Sequence, residues 1–518
     1  MKKAMKKAMK KTFLTAMAAV LALSGAGCGE QDNSSESQSD STPKEITVQA
    51  GYTRYDLKDS TRKTEGFGTQ FDTLIVEKQN GGKAEDWQVH VDALETMNLQ
   101  NVRIRFFPEM YERGNDNDDP NVFDYDSPDV DFNSLEMQHL YSLLDAFEKN
   151  GVKVDLSWYG CRTTFASEDG KINGSWLGGN YGDEGVNSWS VLPRLGNRPY
   201  EEFAESVAAC LNYLLNEKKY TCIYEYSLFP EPDGMMSSME PYKEVSELTK
   251  KQLEKYGIKD KILFSGPADY GNNSEKFEER FLSQIDVEKA TSSVYCYNAD
   301  SFNEVMLDFA QGYTAVCDKY GISWGIAESG TNHGLTPVTN SDSDTYDRAL
   351  FMARFAINMV NGGCTNIKYF VFGDCWYDGA LNELGLFKFK HEGWKAKPVW
   401  YSWSLICRFT DFGSEIYPVT DSYGDDADTD VCITAFKLPD GSWTYLAANN
   451  GTSAKKVAIV NDRTGRPEKM KLYRMTEATL PVERTLSILP VHSEIDASQG
   501  AAHFTIPAKG FVVLSDKK

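Results

Sequence analysis

Positive charge is scarce in this sequence. Its 518 residues hold 54 Lys and Arg against 76 Asp and Glu, a formal net charge of -22. A surface this acidic repels a phosphate backbone, so nucleic acid is excluded as a partner. Beyond the N-terminus no run of about 18 apolar residues occurs, which excludes a multi-span helical membrane protein. Histidine is limited to six residues, none in HExxH spacing, and none of the ten cysteines stands in a CxxC pair, so no zinc site is expected. No GxGxxG follows the first expected strand and no phosphate loop is present, which leaves a nucleotide cofactor without support. What remains is an ordinary globular composition, 41% hydrophobic and 12% aromatic, in a chain long enough for a large α/β barrel and a companion domain.

The first twelve residues, MKKAMKKAMKKT, carry six lysines and no acid, and an apolar block of 11 residues, Phe13 to Leu23, follows. This is the pattern of a secretory signal peptide, expected over residues 1–27. Gly-Ala-Gly-Cys at 25–28 resembles a bacterial lipobox, which implies lipidation of Cys28 and anchoring to the outer face of a bacterial membrane. Residues 28–45 are dominated by Ser, Asp, Glu, Gln and Asn and read as a flexible linker. The other nine cysteines are scattered through apolar segments, where a small buried thiol is the usual role.

From residue 64 onward short apolar runs alternate with amphipathic stretches. Strands are expected at 64–72, 102–107, 152–158, 221–229, 261–267, 290–297, 322–328 and 366–373, each followed by a helix. Asn133 with Glu136 three residues on reads as a capping box for one of these helices, which then stops at Asn150-Gly151. Eight such units imply a (β/α)8 TIM barrel over residues 46–410. After Phe409 the pattern changes to short alternating strands (VCITAF, WTYLAAN, KKVAIV, MKLYRM, AHFTI, GFVVLS) separated by turns, which predicts a small antiparallel β-sandwich over 411–518. The segment ITVQAG at 46–51 is expected to add a strand to it.

Active residues of a barrel sit at the C-terminal ends of its strands. The fourth strand ends CIYEYSLFPEPDG, with Glu231 between two prolines, and the seventh ends ISWGIAESG, with Glu328 before Ser-Gly. A pair of carboxylates converging across a barrel mouth is what glycosidic cleavage needs: one protonates the departing oxygen and the other acts on the opposite face of the sugar. The acid must hold its proton near neutral pH, whereas a cation beside the other carboxylate keeps it ionised. Arg103 and Arg105 lie two residues apart, on one face of the second strand. Sugars stack on aromatic faces, and Trp158, Trp176, Tyr181, Trp189 and Trp394 fall in expected strand-end loops.

These residues resemble those of the clan A glycoside hydrolases, the group containing families 5, 30 and 39. Glu231-Pro232 matches the clan's acid/base position and Glu328 its nucleophile. Arg103 in NVRIRFFP matches its arginine on strand two, and GFGTQFD at 66–72 resembles the first-strand motif of several member families. The resemblance also implies that Tyr297, ending strand six, lies near the nucleophile. It implies that Trp376, after strand eight, floors the sugar site, and that 385–409 closes the barrel before the sandwich. One position departs: the asparagine that usually precedes the acid/base and bonds the sugar 2-hydroxyl is Pro230, which has no side-chain donor.

The implied activity is that of a retaining hydrolase of β-glycosidic bonds in oligo- or polysaccharides. It uses carbohydrate as its substrate partner, requires no cofactor, and meets a membrane only through its lipid. Pro230 keeps an alternative in view, a catalytically silent surface glycan-binding lipoprotein. Two other signals carry less. GISWG at 321–325 has the GxSxG form, but Ser323 opens a strand rather than sitting on a strand-to-helix turn, so an esterase is disfavoured. The acidic stretch NDNDDPNVFDYDSPDVD at 115–131 lacks EF-hand spacing and reads as a solvated loop. His333, close after Glu328, reads as a loop histidine.

Overall fold

A computed structural model describes residues 46–60, 62–72, 80, 83–117, 119–158, 199–229, 239–269, 274–294, 303–330, 341–377, 380–421 and 429–518. Residues 46–518 form one compact unit. The signal peptide, Cys28 and the linker lie outside the described residues, as do Glu231, Tyr297, Pro230, His333 and the aromatic residues Trp176, Tyr181 and Trp189. Among the described residues no helix is long and apolar enough to cross a membrane.

The chain opens with two short strands, β1 (Thr53–Leu57) and β2 (Arg62–Lys63). Eight parallel strands then close into a barrel: β3 (Gly66–Asp72), β4 (Asn101–Phe106), β5 (Lys153–Trp158), β6 (Ile223–Leu228), β7 (Leu263–Asp269), β8 (Lys289–Val294), β9 (Ser323–Ser329) and β10 (Asn366–Tyr369). Between and after them lie α1 (Ala84–Met97), α2 (Leu135–Asn150), α3 (Pro199–Asn212), α4 (Glu240–Lys255), α5 (Ser274–Leu282), α6 (Asn303–Tyr320), α7 (Tyr346–Asn361) and α8 (Pro398–Phe409). The expected (β/α)8 barrel is therefore present. Gly68 is required where β3 meets β4, because a β-carbon there would run into the carbonyl of Asn101.

Local signals account for most boundaries, with instructive exceptions. The cap of α2 is Ser134, not Asn133: its hydroxyl accepts the Met137 N–H at 3.1 Å and donates to the Met110 carbonyl, so the cap also ties the helix to the preceding loop. The helix does stop at Gly151, in the left-handed conformation at φ 68°. The eighth strand ends at Tyr369 rather than 373, although the Phe372 N–H still reaches the Gln70 carbonyl of β3 at 3.0 Å.

The barrel interior is polar, and strand alternation explains how. On β4, Val102, Ile104 and Phe106 face the helices, which leaves Arg103 and Arg105 on the other face. Asp155 and Ser157 on β5, Glu225 and Ser227 on β6, and Asn366 and Lys368 on β10 follow the same rule. The buried charges meet their opposites. Lys289 lies 2.8 Å from Glu225 and also binds Glu65, and Lys368 lies 3.4 Å from Asp155 across the interior. Burial alone would raise the Glu225 carboxyl, but Lys289 and Lys368 hold it well below the usual carboxylate range. Such pairs add little net stability, yet losing one partner strands a charge in a dry interior.

The C-terminal region is β-rich: β13 (Glu415–Asp421), β14 (Val431–Lys437), β15 (Trp443–Asn449), β16 (Lys455–Val460), β17 (Lys469–Met475), β18 (Val491–Asp496), β19 (Ala501–Ile506) and β20 (Gly510–Ser515), after a small hairpin of β11 (Cys375–Tyr377) and β12 (Ala380–Asn382). The strand contributed from the N-terminal side is β1, not 46–51; Tyr55 carries it into a core shared with Ile433, Trp443, Val457 and Phe504. β1 pairs antiparallel with β13 but parallel with β16, so the sheet is mixed rather than wholly antiparallel. Residues 53–63 thus belong with the β-rich region, not with a barrel beginning at 46. Helix α7 packs between barrel and sheet. Its Tyr346 hydroxyl donates to the Lys509 carbonyl at 2.6 Å, and the Asn361 amide at its other end donates to the Ile433 carbonyl at 2.8 Å. The seven cysteines among the described residues are all buried, as their apolar surroundings suggest.

Candidate active site

Glu328 ends the seventh barrel strand and is 6% exposed. Its direction depends on an irregularity. On β9, Trp324 and Ile326 pack toward the helices, and the Trp324 indole donates to Thr314 of α6 at 2.7 Å. Simple alternation would then place Glu328 on that same outer side. Both neighbouring strands slip at this point: Ser292 and Ser293 on β8 face Ile326 and Glu328, skipping Ala327, and on β10 the register shifts between Ile367 and Tyr369. The extra residue re-aims Glu328 into the barrel, the established effect of a β-bulge.

Arg103 meets it there. The guanidinium is fully buried and divides its donors: Nη1 to Glu328 Oε1 and to Gln70 Oε1 (3.1 Å), and Nη2 to Ser157 Oγ (2.9 Å). Asp155 lies 3.9 Å from its Nε. Three strands besides β4 therefore fix one arginine, and the arginine fixes one carboxylate. A buried guanidinium on a carboxylate oxygen favours the ionised form. The expected pairing of Arg103 with Glu328 is observed. Gln70, Ser157 and Asp155 were not singled out in the sequence; their inward alternation opposite an arginine was the available signal.

Of the other expected site residues, Arg105 is 1% exposed and lies in register with Asp72 and Ser157 on the neighbouring strands. Trp158 corrects an expectation. It is fully buried on the face of β5 opposite Ser157, packed edge-on against Phe106 at 5.0 Å, so it braces the barrel wall and offers no sugar platform. Trp394 packs against His90 at 5.2 Å and against Phe387 and Phe389, pinning its loop to the body. Trp376 is half-buried after the eighth strand, where Asn80 holds its backbone through bonds of 2.6 and 3.1 Å.

Glu231 and Tyr297 lie outside the described residues, but the end of the strand that leads to Glu231 is well defined. The Leu228 carbonyl accepts the Tyr242 hydroxyl at 2.8 Å. The next residue, Phe229, has φ 46°, an uncommon conformation for a side chain of its size. Its N–H donates to the Trp158 carbonyl at 2.8 Å and its ring stacks on Phe203 at 5.1 Å. Packing on both sides thus holds a turned-out backbone two residues before Glu231, the kind of over-determined strain found at functional sites.

No family model and no curated protein matches the chain. Solved structures do match, and they share the fold. A family 30 endoxylanase from Clostridium papyrosolvens C71 is 14% identical with a TM-score of 0.58, covering 90% of this chain and 100% of its own. A monomeric β-xylosidase from Caulobacter crescentus CB15 is 14% identical with a TM-score of 0.56, covering 89% and 99%. A family 39 enzyme from Xanthomonas axonopodis pv. citri is 11% identical with a TM-score of 0.56, covering 90% and 98%. The similarity spans barrel and β-rich region together, and it shows that the chain shares its architecture with these glycoside hydrolases.

Proposed function

We propose that this chain is a retaining β-glycosidase acting on an oligo- or polysaccharide. The observation that carries the reading is the buried Arg103–Glu328 pair, set by a strand bulge at the C-terminal end of the seventh barrel strand. An ionised carboxylate fixed there suits attack on an anomeric carbon. Glu231, three residues beyond the end of the fourth strand, is assigned the complementary role: it protonates the departing oxygen, then activates the water that releases the sugar from Glu328. β6 and β9 are three strands apart in a ring of eight, which suits two carboxylates approaching from opposite sides of the mouth. Tyr297, Trp376 and Arg105 are proposed to line the sugar site. The named neighbours include xylan- and xyloside-cleaving enzymes, so β-xylosides are the first substrates to test.

The N-terminal pattern supports export and a lipid anchor at Cys28, which would place the barrel at the outer surface of a bacterial membrane. The alternative raised by Pro230, a silent glycan binder, has no need of an ion-paired carboxylate at the seventh strand, and the enzyme reading is preferred for that reason. The test is hydrolysis of xylans, β-glucans, mannans, galactans and aryl β-glycosides by the wild type beside Glu231→Gln and Glu328→Gln. Activity lost in both variants supports the assignment; activity kept in both contradicts it.

A further inference from the structure

The acidic stretch 115–131 is exposed over most of its described residues, as its composition suggests, but part of it docks on the body. Phe123 and Phe132 are buried, and the Tyr125 hydroxyl donates to the Ala209 carbonyl of α3 at 3.1 Å. The Gln252 amide of α4 donates to the Pro120 carbonyl at 2.8 Å. This docking brings Asp116 against Glu202 and Glu205, which stand three residues apart and so share a face of α3. One carboxylate oxygen from each of the three lies within 4.8 Å of the others.

Clustered acids alone do not make a site, but Glu205 adds a separate observation. It is 1% exposed, and neither of its carboxylate oxygens has a hydrogen-bond partner among the described residues. A buried carboxylate left unsatisfied is costly unless something positive meets it. The surroundings offer little. Burial, then the charges of Asp116, Glu202 and Asp119, push the Glu205 carboxyl up to about 9, and Lys255 offsets this only in part. Lys255 itself reaches Asn121, at 3.3 Å. Burial likewise raises Asp116, although its oxygens accept the backbone N–H groups of Asn117 and Asp124, and raises neighbouring Glu112, which accepts from Ser206.

We propose that Asp116, Glu202 and Glu205 form a calcium-binding site that fastens the loop after the second barrel strand to α3. Calcium takes carboxylate oxygens at about 2.3–2.6 Å, so two ligands on opposite sides of one ion stand about 4.8 Å apart, the span these three allow. The site would hold the base of a loop bordering the barrel mouth. It neither requires the glycosidase reading nor lends it support.

The test uses chelator-treated full-length protein titrated with calcium chloride by calorimetry at pH 7, with thermal unfolding measured in parallel. The expected result is one ion bound with a dissociation constant on the order of 10⁻⁴ M or tighter. A rise in Tm of about 3 °C or more in millimolar calcium accompanies it. Glu205→Gln and Asp116→Asn should each weaken binding at least about tenfold and remove the Tm response. Glu205→Gln keeps shape and removes no hydrogen bond among the described residues, so its metal-free form should melt no lower than the metal-free wild type. Absence of binding to the wild type overturns the proposal. So does calcium that binds equally well to both variants.

Discussion

The guanidinium of Arg103, on the second barrel strand, binds the carboxylate of Glu328 on the seventh, while Gln70 and Ser157 accept from other donors of the same group. The geometry makes Arg103 a positioning residue for the proposed nucleophile: it sets the direction of the carboxylate and favours its ionised state. Lysine in its place would keep the charge but could not hold three partners in one plane.

Arg103→Lys should therefore lower kcat/KM by about 10²-fold or more, with most of the loss in kcat. Stability should fall by about 1–3 kcal/mol, because Gln70 or Ser157 loses a buried partner. Steady-state kinetics and urea unfolding on the same sample check both effects. A variant that loses stability alone would give Arg103 a purely structural role.

Trp158 is expected to behave in the opposite way. It fills the layer between barrel and helices beside Phe106, so Trp158→Ala should cost about 3–5 kcal/mol of stability. The milder Trp158→Phe should leave KM for saccharide unchanged, as measured by initial rates across substrate concentration. A rise in KM with unaltered stability would return this residue to the sugar site.

The pH dependence of stability has a definite sign at His90. Burial among Phe372, Phe387 and Trp394 lowers its pKa from 6.5 to about 4, against the opposing effects of the Asp86 backbone bond and charge. Between those pH values the unfolded chain binds a proton that the folded chain refuses. Stability therefore rises with pH through this window and is lost as pH falls from about 6.5 toward 4, by up to about 3 kcal/mol. His90→Phe should remove that part of the slope in urea denaturation at pH 4.5 and pH 7. Parallel slopes for the two proteins would exclude His90 as the source.

Much of this architecture was legible in residue order. The eight strands and the helices between them follow from apolar periodicity, which burial on one or both faces imposes. The placement of Glu328 at a strand end was legible; its direction was not. Period-two alternation points it outward, and only the slipped register on both sides turns it in. Trp158 misled because an aromatic residue at a strand end looks alike whether it faces a cleft or a helix layer. The N-terminal strand was displaced to 53–57 because pairing with β13 and β16, over 350 residues away, decides it rather than local propensity. The docking of the acidic loop was not legible, because it depends on the Tyr125 hydroxyl reaching α3 and on the burial of Phe123 and Phe132, contacts that composition does not reveal.

The account rests above all on Glu328 as the attacking group. The most direct measurement is mass spectrometry of the wild-type protein after incubation with activated 2-deoxy-2-fluoro β-glycosides of xylose, glucose, galactose and mannose, followed by peptide mapping. The account predicts time-dependent inactivation by at least one of them and a single added fluorosugar on the peptide containing Glu328, absent in Glu328→Gln. A label on a different carboxylate, or saccharide hydrolysis undiminished in Glu328→Gln, would contradict it.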